Sequence, residues 1–369
     1  MRIIVLITVL GLMMLQAQAF ESEIKEITLI DGEKIDARIC LPDKPIETIV
    51  VAIHGTGPYT YLTSRGKFNY YDVLAEGFCE QGVGFFSYNR RGVEIGENPP
   101  WFDKVDSLKY AKYSPRQEAE DVETMIRFLR KDKRFQNCKV ILYGISEGTI
   151  IASMIADRGN IKIDALFLHG YAHDNMYDII KWQNAGEGVM IMIRSIFDTD
   201  GDNAISKEEY EREGSSLSQY RKSLFPNMKF EAIDVVKDGV LDVKDIKKMR
   251  SAYEKLLMGK MSACDGTWIW NNYVRITVGW LHEHFALEPN KSRLLRIDVP
   301  IYIFHGADDA NVPASSVEDI NRRFEVIGKT NLTINIFEKH NHDLNFQDWI
   351  TKKEYSEGLK ALFKTAKGI

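Results

Sequence analysis

The segment from Lys139 to Ile155 constrains the fold of this chain more than any other. Residues 140–143 are apolar or aromatic, and a continuous run of this kind is typical of a buried parallel strand. A Gly-x-Ser-x-Gly sequence centred on Ser146 follows, and the apolar run over 150–155 has helical character. Glycines on both sides of the serine indicate a turn too tight for larger side chains. The segment therefore predicts that Ser146 joins the carboxyl end of a strand to the N-terminus of a helix.

Strands and helices alternate along much of the remaining sequence. Buried strands are predicted over 48–53, 83–88, 163–168, 300–304 and 332–337, with helical patterns between them. The runs 24–30 and 35–41 predict an N-terminal hairpin that turns at Asp31-Gly32. A last helix is predicted from about Gln347 to Lys367. This order predicts an α/β fold, with a mostly parallel sheet and helices on both faces.

The alternation stops between about 175 and 290, which predicts an inserted, mainly helical cap. We expect a core in two parts, residues 20–174 and 291–369, with the cap insertion over 175–290. The chain has 369 residues, of which 44% are apolar, so it exceeds one typical domain and can bury a large core.

Residues 1–19 have the pattern of a secretory signal peptide. Arg2 precedes an apolar run from Ile3 to Leu15, and Ala17-Gln18-Ala19 fits an Ala-x-Ala cleavage site. The run is shorter than the roughly 18 residues of a membrane span. We therefore expect cleavage after Ala19, export to the periplasm or the medium, and no stable membrane span afterwards. The alternative is an uncleaved anchor.

Charge and cysteine content restrict the classes of function. The net charge is -5 and no basic run is present, so a nucleic-acid partner is not expected. The four cysteines are widely spaced and show no metal-binding pattern. They are Cys40, Cys79, Cys138 and Cys264. In an exported chain they are compatible with one or two disulfides, and equally with buried thiols.

Three residues occur in an order that suits nucleophilic catalysis. A serine hydroxyl needs an adjacent base, and the base needs an orienting acid. Ser146 comes first, and Asp309 and His342 each follow a later predicted strand. Because open α/β sheets place their sites at the carboxyl ends of strands, we predict that these three residues form a catalytic triad. Asp308 and His340 are the alternatives for the acid and the base, and a purely structural glycine turn is the alternative for the Ser146 segment.

Attack by a serine creates an oxyanion that needs two backbone N–H donors. We predict that one is the amide of Glu147, directly after Ser146, and that the other is the amide of Thr56. Thr56 lies in the loop His54-Gly-Thr-Gly-Pro58, where His54 is expected to orient the loop. The alternative for this loop is an ordinary glycine turn.

Together these motifs resemble those of the α/β-hydrolase superfamily. Bacterial esterases and serine-aminopeptidase-like hydrolases carry His-Gly-Ser-Gly-Pro, Asp-x-Arg-Gly and Gly-His-Ser-Glu-Gly-Gly, which here read His54-Gly-Thr-Gly-Pro58, Asn89-Arg-Arg-Gly92 and Gly144-Ile-Ser-Glu-Gly-Thr149. The departures leave the substrate class open without removing a triad candidate; they are Thr56, Asn89, Ile145 and Thr149. The serine argues against haloalkane dehalogenases and epoxide hydrolases, which use Asp at that position.

The resemblance covers about residues 24–174 and 291–369. It implies the α/β-hydrolase fold and a serine hydrolase that cleaves carboxylic ester or related acyl bonds of a small-molecule substrate. Two other functions stay open. One is a peptidase or amidase of the same mechanism. The other, because the segment Asp198-Thr-Asp-Gly-Asp202 offers oxygen ligands for calcium, is a calcium-dependent binding module on an inactive hydrolase scaffold.

The insertion contains a segment that matches a twelve-residue EF-hand calcium loop. The predicted ligands are the side chains of Asp198, Asp200, Asp202, Ser206 and Glu209 and the backbone carbonyl of Ala204. Asn203 replaces the usual glycine at the sixth position, and Asn is the next best residue for a left-handed turn. Calcium is therefore the expected structural cofactor; the alternative is a solvated acidic loop.

A second, degenerate loop runs from Asp234 to Asp245. Val236 supplies no side-chain oxygen at the third position, and Asp245 is one methylene shorter than the usual Glu. We expect an EF-hand pair joined by a short strand contact between Ile205 and Leu241, with the occupancy of the second loop left open. Further on, the aromatic segments 268–273 and 280–285 either line a substrate pocket or pack as cap core.

Overall fold

The computed structural model describes residues 20–65, 68–97, 103–226 and 228–369. The predicted signal peptide, residues 1–19, lies outside the described residues. Within the described part of the chain, no helix is long and apolar enough to cross a membrane. All four cysteines fall in this part and are unpaired.

The strands, in chain order, are β1 Glu21–Thr28, β2 Lys34–Leu41, β3 Thr48–Ile53, β4 Gly84–Tyr88, β5 Val93–Ile95, β6 Asp103–Val105, β7 Lys139–Ile145, β8 Ala165–His169, β9 Ile205–Ser206, β10 Val240–Leu241, β11 Ile301–Gly306 and β12 Leu332–Phe337. Eight of them form one sheet in the order β1-β2-β4-β3-β7-β8-β11-β12. The pairs β1-β2 and β2-β4 are antiparallel, and all later neighbours are parallel. The predicted mostly parallel sheet is therefore confirmed.

The helices are α1 Tyr70–Glu80, α2 Ser107–Tyr110, α3 Pro115–Leu129, α4 Glu147–Arg158, α5 Met176–Ala185, α6 Glu187–Phe197, α7 Lys207–Glu211, α8 Ser215–Leu224, α9 Phe230–Ile233, α10 Val243–Ser262, α11 Gly266–Asn272, α12 Val278–Ala286, α13 Asn290–Arg293, α14 Ser315–Ile327, α15 Gln347–Lys352 and α16 Glu357–Lys367, with a 3-10 turn at Leu294–Arg296. Helices α5 to α13 lie between β8 and β11, in the part of the chain where an insertion was predicted.

Alternate residues of the fully buried strand β3 face two separate apolar layers. Ile49, Val51 and Ile53 pack in one layer, to which α3 and α4 contribute Val122, Met125, Ile150 and Ile155 among others. Val50 and Ala52 pack in the other, with Leu74 and Phe78 of α1 and Leu359 and Phe363 of α16. The period-two pattern of a strand thus places helices on both faces of the sheet.

The insertion has a smaller apolar cluster of its own. It joins Ile193 and Phe197 of α6 to Ile233 of α9, and to Ile205 and Leu241 of the two short strands. Strands β9 and β10 pair antiparallel, with Ile205 opposite Leu241. This pairing brings the two acidic loops side by side.

The single last helix predicted from Gln347 to Lys367 is wrong, because two helices occupy that range. Lys353 has a left-handed φ of 58°, which ends α15. Ser356 then caps α16: its hydroxyl accepts the Leu359 amide at 3.2 Å and donates to the Leu344 carbonyl at 2.5 Å. The N-cap preference of serine outweighed the helical pattern around it.

The turn at Ser146 depends on the two glycines that flank it. A Cβ at Gly144 would overlap the backbone of Gly148, and a Cβ at Gly148 would overlap the carbonyl oxygen of Ile53. Strand β7, helix α4 and the end of β3 therefore approach one another through bare backbone. This close approach explains why the sequence has glycine at both positions.

We predict that Gly148→Ala destabilises the protein by roughly 1–3 kcal/mol, because the added methyl meets backbone that cannot rotate away. Gly259→Ala is the matched control. Gly259 lies within α10 with no neighbour close to an added methyl, so this change should stabilise by about 0.5–1 kcal/mol. Denaturant unfolding of both variants measures the difference; equal effects would show that the contact at Gly148 is not restrictive.

Candidate active site

Ser146 occupies a sharp, left-handed turn between β7 and α4. Its φ and ψ are 56° and -118°, which is rare for a residue with a side chain. Its amide donates to the carbonyl of His169 at the end of β8, at 2.8 Å. The neighbouring strand therefore holds the turn, and the serine hydroxyl stands at the carboxyl edge of the sheet, where it lines a cavity.

Asp309 and His342 are brought together in direct contact. Nδ1 of His342 donates to a carboxylate oxygen of Asp309 at 2.7 Å. The other Asp309 oxygen accepts the amides of Asn311 at 2.7 Å and Val312 at 2.9 Å, and the residue is fully buried. With Nδ1 as the donor, Nε2 of the neutral imidazole is left as the proton acceptor.

The charges in this pair reinforce each other. Burial disfavours the charged form of His342, but the charge and hydrogen bonding of Asp309 and the charge of Asp343 outweigh this and raise the pKa of the imidazole. Burial also acts to raise the pKa of Asp309, and the effects of His342 and His305 outweigh it and lower that pKa. Asp309 therefore stays ionised and favours protonation of His342.

Two glycines allow this approach. A Cβ at Gly170, after β8, would overlap the His342 ring, and a Cβ at Gly306, at the end of β11, would overlap the His340 carbonyl. The loops that carry Asp309 and His342 can therefore pack directly on the ends of the strands.

The competing pair, Asp308 and His340, is placed elsewhere. The Asp308 amide donates to the His340 carbonyl at 2.9 Å, while burial and Glu338 raise the pKa of the Asp308 carboxyl. Nδ1 of His340 donates to the Glu338 carbonyl at 2.8 Å, and its Nε2 accepts the Gly358 amide at 3.4 Å. Asp308 thus connects its loop to the loop of His340, and His340 connects that loop to the start of α16. Within the described part of the chain, neither residue forms a hydrogen bond with His342.

Ser146 and His342 line the same cavity, together with Thr56 and Glu147. Among the hydrogen bonds between described residues, none joins the Ser146 hydroxyl to the His342 ring. Catalytic hydrogen bonds are often long in a site without substrate and shorten when substrate binds. The structure thus brings the predicted triad residues and the predicted oxyanion residues to one place.

Arg90, for which the sequence suggested no specific role, organises the loop that carries Thr56. Its guanidinium donates to the carbonyls of Gly55, at 2.9 Å, and Gly57. It is 1% exposed and pairs with the buried Glu118 at 2.7 Å. Gly55 and Gly57 flank Thr56 in the chain, and the Arg90 guanidinium binds both of their carbonyls. Arg90 therefore fixes the loop next to Ser146.

His54 supports the same loop. Its Nε2 donates to the Tyr88 carbonyl at 2.8 Å, and its Nδ1 accepts the Tyr71 hydroxyl at 2.8 Å. Complete burial and the nearby Arg90 lower the pKa of His54 well below its usual value. These contacts fit the predicted orienting role and leave no free ring nitrogen for proton transfer.

The cavity has a volume of about 340 Å³, within the range of small-molecule sites. Helix α5 supplies an apolar wall of Met176, Ile179 and Ile180. The lining also includes several tyrosines and the Arg65–Asp343 ion pair, whose charged atoms are 3.1 Å apart. Trp280 of α12 also lines the cavity and is buried, so this aromatic residue serves both as pocket wall and as core.

The first acidic loop partly matches a calcium site. Oxygens of Asp198, Asp200 and Asp202 lie within 4.8 Å of one another, and Asn203 has the left-handed φ, 69°, that its position needs. The Glu209 carboxylate instead accepts the amides of Thr199 at 2.7 Å and of Ser206 at 2.9 Å, which closes the loop. The donor set of hard oxygens suits calcium. Ala204 and Ser206 lie between these carboxylates and Glu209 in the chain.

The second loop has the same backbone course with fewer oxygen-bearing side chains. Left-handed residues stand at its fourth and sixth positions, Lys237 and Gly239, as Gly201 and Asn203 do in the first loop. Both oxygens of Asp234 accept backbone amides, as both oxygens of Asp198 do in the first loop. Oxygens of Asp234, Asp238 and Asp245 also lie within 4.8 Å of one another. The loops differ at the third position, where Val236 has no side-chain oxygen and Asp200 has a carboxylate.

No protein-family model matches the sequence, and no curated protein matches it either. Solved structures do resemble it. The 2,6-dihydroxy-pseudo-oxynicotine hydrolase aligns at 14% identity and a TM-score of 0.51, over 94% of this chain and 68% of that chain. An esterase of Pyrococcus furiosus aligns at 12% identity and 0.49, over 95% and 91%. A lipase in its open form aligns at 14% identity and 0.48, over 95% and 100%.

At these identities the comparisons concern the fold. The mostly parallel eight-stranded sheet with helices on both of its faces agrees with the likeness to the 2,6-dihydroxy-pseudo-oxynicotine hydrolase. The chain has the α/β-hydrolase fold.

Proposed function

We propose that this protein is a serine hydrolase that cleaves carboxylic ester bonds. The observation that carries the proposal is the Asp309–His342 hydrogen bond of 2.7 Å beside a cavity shared with Ser146. A serine in a strained turn, a histidine base and a buried acid are the parts that acyl transfer requires.

In the proposed mechanism, the Ser146 oxygen attacks the ester carbonyl carbon while its proton passes to Nε2 of His342. Asp309 holds the ring and stabilises the imidazolium. The amides of Thr56 and Glu147 bind the oxyanion. The alcohol then leaves with the proton from His342, and an acyl group stays on Ser146. Water, deprotonated by His342, attacks this acyl-enzyme and releases the acid and the free serine.

We also propose that the first loop binds calcium through Asp198, Asp200, Asp202, Ser206, Glu209 and the Ala204 carbonyl. A bound calcium ion would offset the mutual repulsion of the carboxylates and brace the insertion. The convergence of three carboxylates and the left-handed Asn203 support this proposal. Export of the chain is proposed on the signal-peptide pattern of residues 1–19.

We predict that Ser146→Ala removes the nucleophile and lowers kcat for p-nitrophenyl esters by ~10⁶-fold. Ser153→Ala is the control on the same helix, where the hydroxyl only donates to the Thr149 carbonyl. The control should keep its activity and its labelling by a fluorophosphonate probe. Near wild-type turnover in folded Ser146→Ala would refute the role of Ser146. Aminoacyl anilides assayed in parallel with the wild type would separate esterase from peptidase activity.

Asp309→Asn should lower kcat by roughly 10⁴-fold, because the amide no longer holds the required tautomer of His342. Asp308→Asn, with nearly the same change in charge and shape, should have little effect. Loss of the Asp309 charge also removes the largest effect that raises the pKa of His342, although the charge of Asp343 remains. The base then stays neutral to lower pH, so the acidic limb of kcat/KM should move to lower pH in Asp309→Asn alone. The reverse order of effects would transfer the acid role to Asp308.

Calcium at ~100 times its dissociation constant should stabilise the folded state by roughly 2.7 kcal/mol. Chelation should therefore lower the melting temperature of the wild type. Asp198→Ala should abolish the response to chelator. Asp234→Ala should retain most of it, because the second loop lacks a ligand at Val236 and has the shorter Asp245 at its twelfth position. Identical melting curves with and without chelator, and no metal by elemental analysis, would contradict calcium binding.

A further inference from the structure

The side chain of Glu147, directly after Ser146, is a buried hydrogen-bonding centre. It is 1% exposed, and one carboxylate oxygen, Oε1, accepts three hydrogen bonds. The donors are the Tyr113 hydroxyl at 2.5 Å, the Trp280 indole N–H at 2.7 Å and Nε2 of His284 at 2.8 Å. Three donors on one oxygen of a buried acid form a specific arrangement and cannot be attributed to solvation.

These donors come from separate parts of the fold. Tyr113 lies in the core between α2 and α3, whereas Trp280 and His284 lie one turn apart on α12 of the insertion. Glu147 is itself the first residue of α4. One oxygen therefore connects the serine turn, the core and the insertion.

The charge of Glu147 strengthens these bonds. Burial acts to raise its pKa, but His284, Arg90 and the hydrogen bonds from His284 and Tyr113 outweigh it and lower the pKa to about 2. Hydrogen bonds to an ionised acceptor are roughly twice as strong as neutral ones. As acceptor, the carboxylate also requires the proton of His284 on Nε2.

Burying the Glu147 carboxylate and the His284 ring costs folding free energy, which a purely structural role would not require. Among the described residues, the second Glu147 oxygen and Nδ1 of His284 have no hydrogen-bond partner although both are buried. Apolar residues of similar size commonly give equal or greater stability at such positions. The cost points to a requirement of the site itself, and both Glu147 and Trp280 line the cavity that contains Ser146.

We propose that the Glu147 carboxylate is a positioning residue that docks α12 of the insertion onto the serine turn. It fixes its own backbone amide as an oxyanion donor, and it fixes Trp280 as a wall of the substrate cavity. The inference rests on the proposed hydrolase function. Further contacts keep α12 close to the core, since the Thr277 hydroxyl donates to the Tyr113 carbonyl at 3.0 Å and Glu283 accepts the Arg116 amide at 2.7 Å. The connection between α12 and the reacting residues, however, runs through Glu147.

Glu147→Gln tests this proposal, because it keeps the shape and removes the charge. Glu123→Gln is the matched control: Glu123 is a buried carboxylate on α3 whose charged partners are Arg127 and Arg158, neither of which lies on α12. A displaced donor or wall commonly costs on the order of 10²-fold in rate. We expect Glu147→Gln to lower kcat by roughly 10–100-fold, raise KM, slow fluorophosphonate labelling of Ser146 and speed hydrogen exchange over residues 278–286. Glu123→Gln should change none of these four readouts.

Trp280→Phe provides a second variant in case Glu147→Gln does not fold. It keeps a ring in the wall and removes one donor to Glu147, so it should raise KM and the exchange of 278–286 with a smaller fall in kcat. Wild-type kcat, KM, labelling and exchange in folded Glu147→Gln would overturn the proposal, and so would a loss of thermal stability alone. If the wild-type protein neither cleaves esters nor labels at Ser146, the hydrolase function fails. The exchange data then still decide whether Glu147 docks α12.

Discussion

The left-handed turn at Ser146 is the constraint on which the rest of the site depends. A non-glycine residue with φ of 56° costs of order 1–3 kcal/mol, and it persists only where the surroundings fix it. Here the fixing contacts are the buried strand before the turn, the hydrogen bond from the Ser146 amide to His169, and the bare backbone of Gly144 and Gly148. The same turn makes Glu147 the first residue of α4, where helical amides lack partners within the helix. The turn between β7 and α4 is therefore the cause both of the backbone strain at Ser146 and of the helical amide at Glu147 that has no partner within the helix.

The register of the sheet brings the other two residues to this turn. In the parallel pair of β11 and β12, Gly306 lies opposite Phe337, so both strands end at the same edge. Asp309 follows one end and His342 the other, and the two loops are packed together because Gly306 has no side chain to separate them. The 2.7 Å contact between Asp309 and His342 therefore depends on strand length and glycine placement as well as on the two side chains themselves.

Local patterns made much of this arrangement predictable. Apolar runs gave the strands, and the order serine, acid, histidine gave residues that the structure brings around one cavity. The contacts of Arg90 and of the Glu147 side chain were not predictable, because they join residues far apart in the chain, 133 positions in the case of Trp280 and Glu147. The periodicity of apolar residues predicts strands and helices, but it does not predict which distant side chains will contact each other. The break at Lys353 was missed for another reason, because a helical pattern extends across it. The left-handed Lys353 ends one helix, and Ser356 caps the next while its hydroxyl donates to the Leu344 carbonyl.

The insertion contacts the loops around Ser146 and Asp309 through three of its helices. Helix α12 binds Glu147, and Gln183 of α5 donates to the Asn311 carbonyl at 3.0 Å. At the start of α6, a Cβ at Gly188 would overlap the carbonyl of Ala310, next to Asp309. At the other end of α6, Arg194 donates to the Asn203 side chain of the first acidic loop at 2.7 Å. A helix of this length is stiff. The geometry of the first acidic loop and the position of the loop that carries Asp309 are therefore linked through α6.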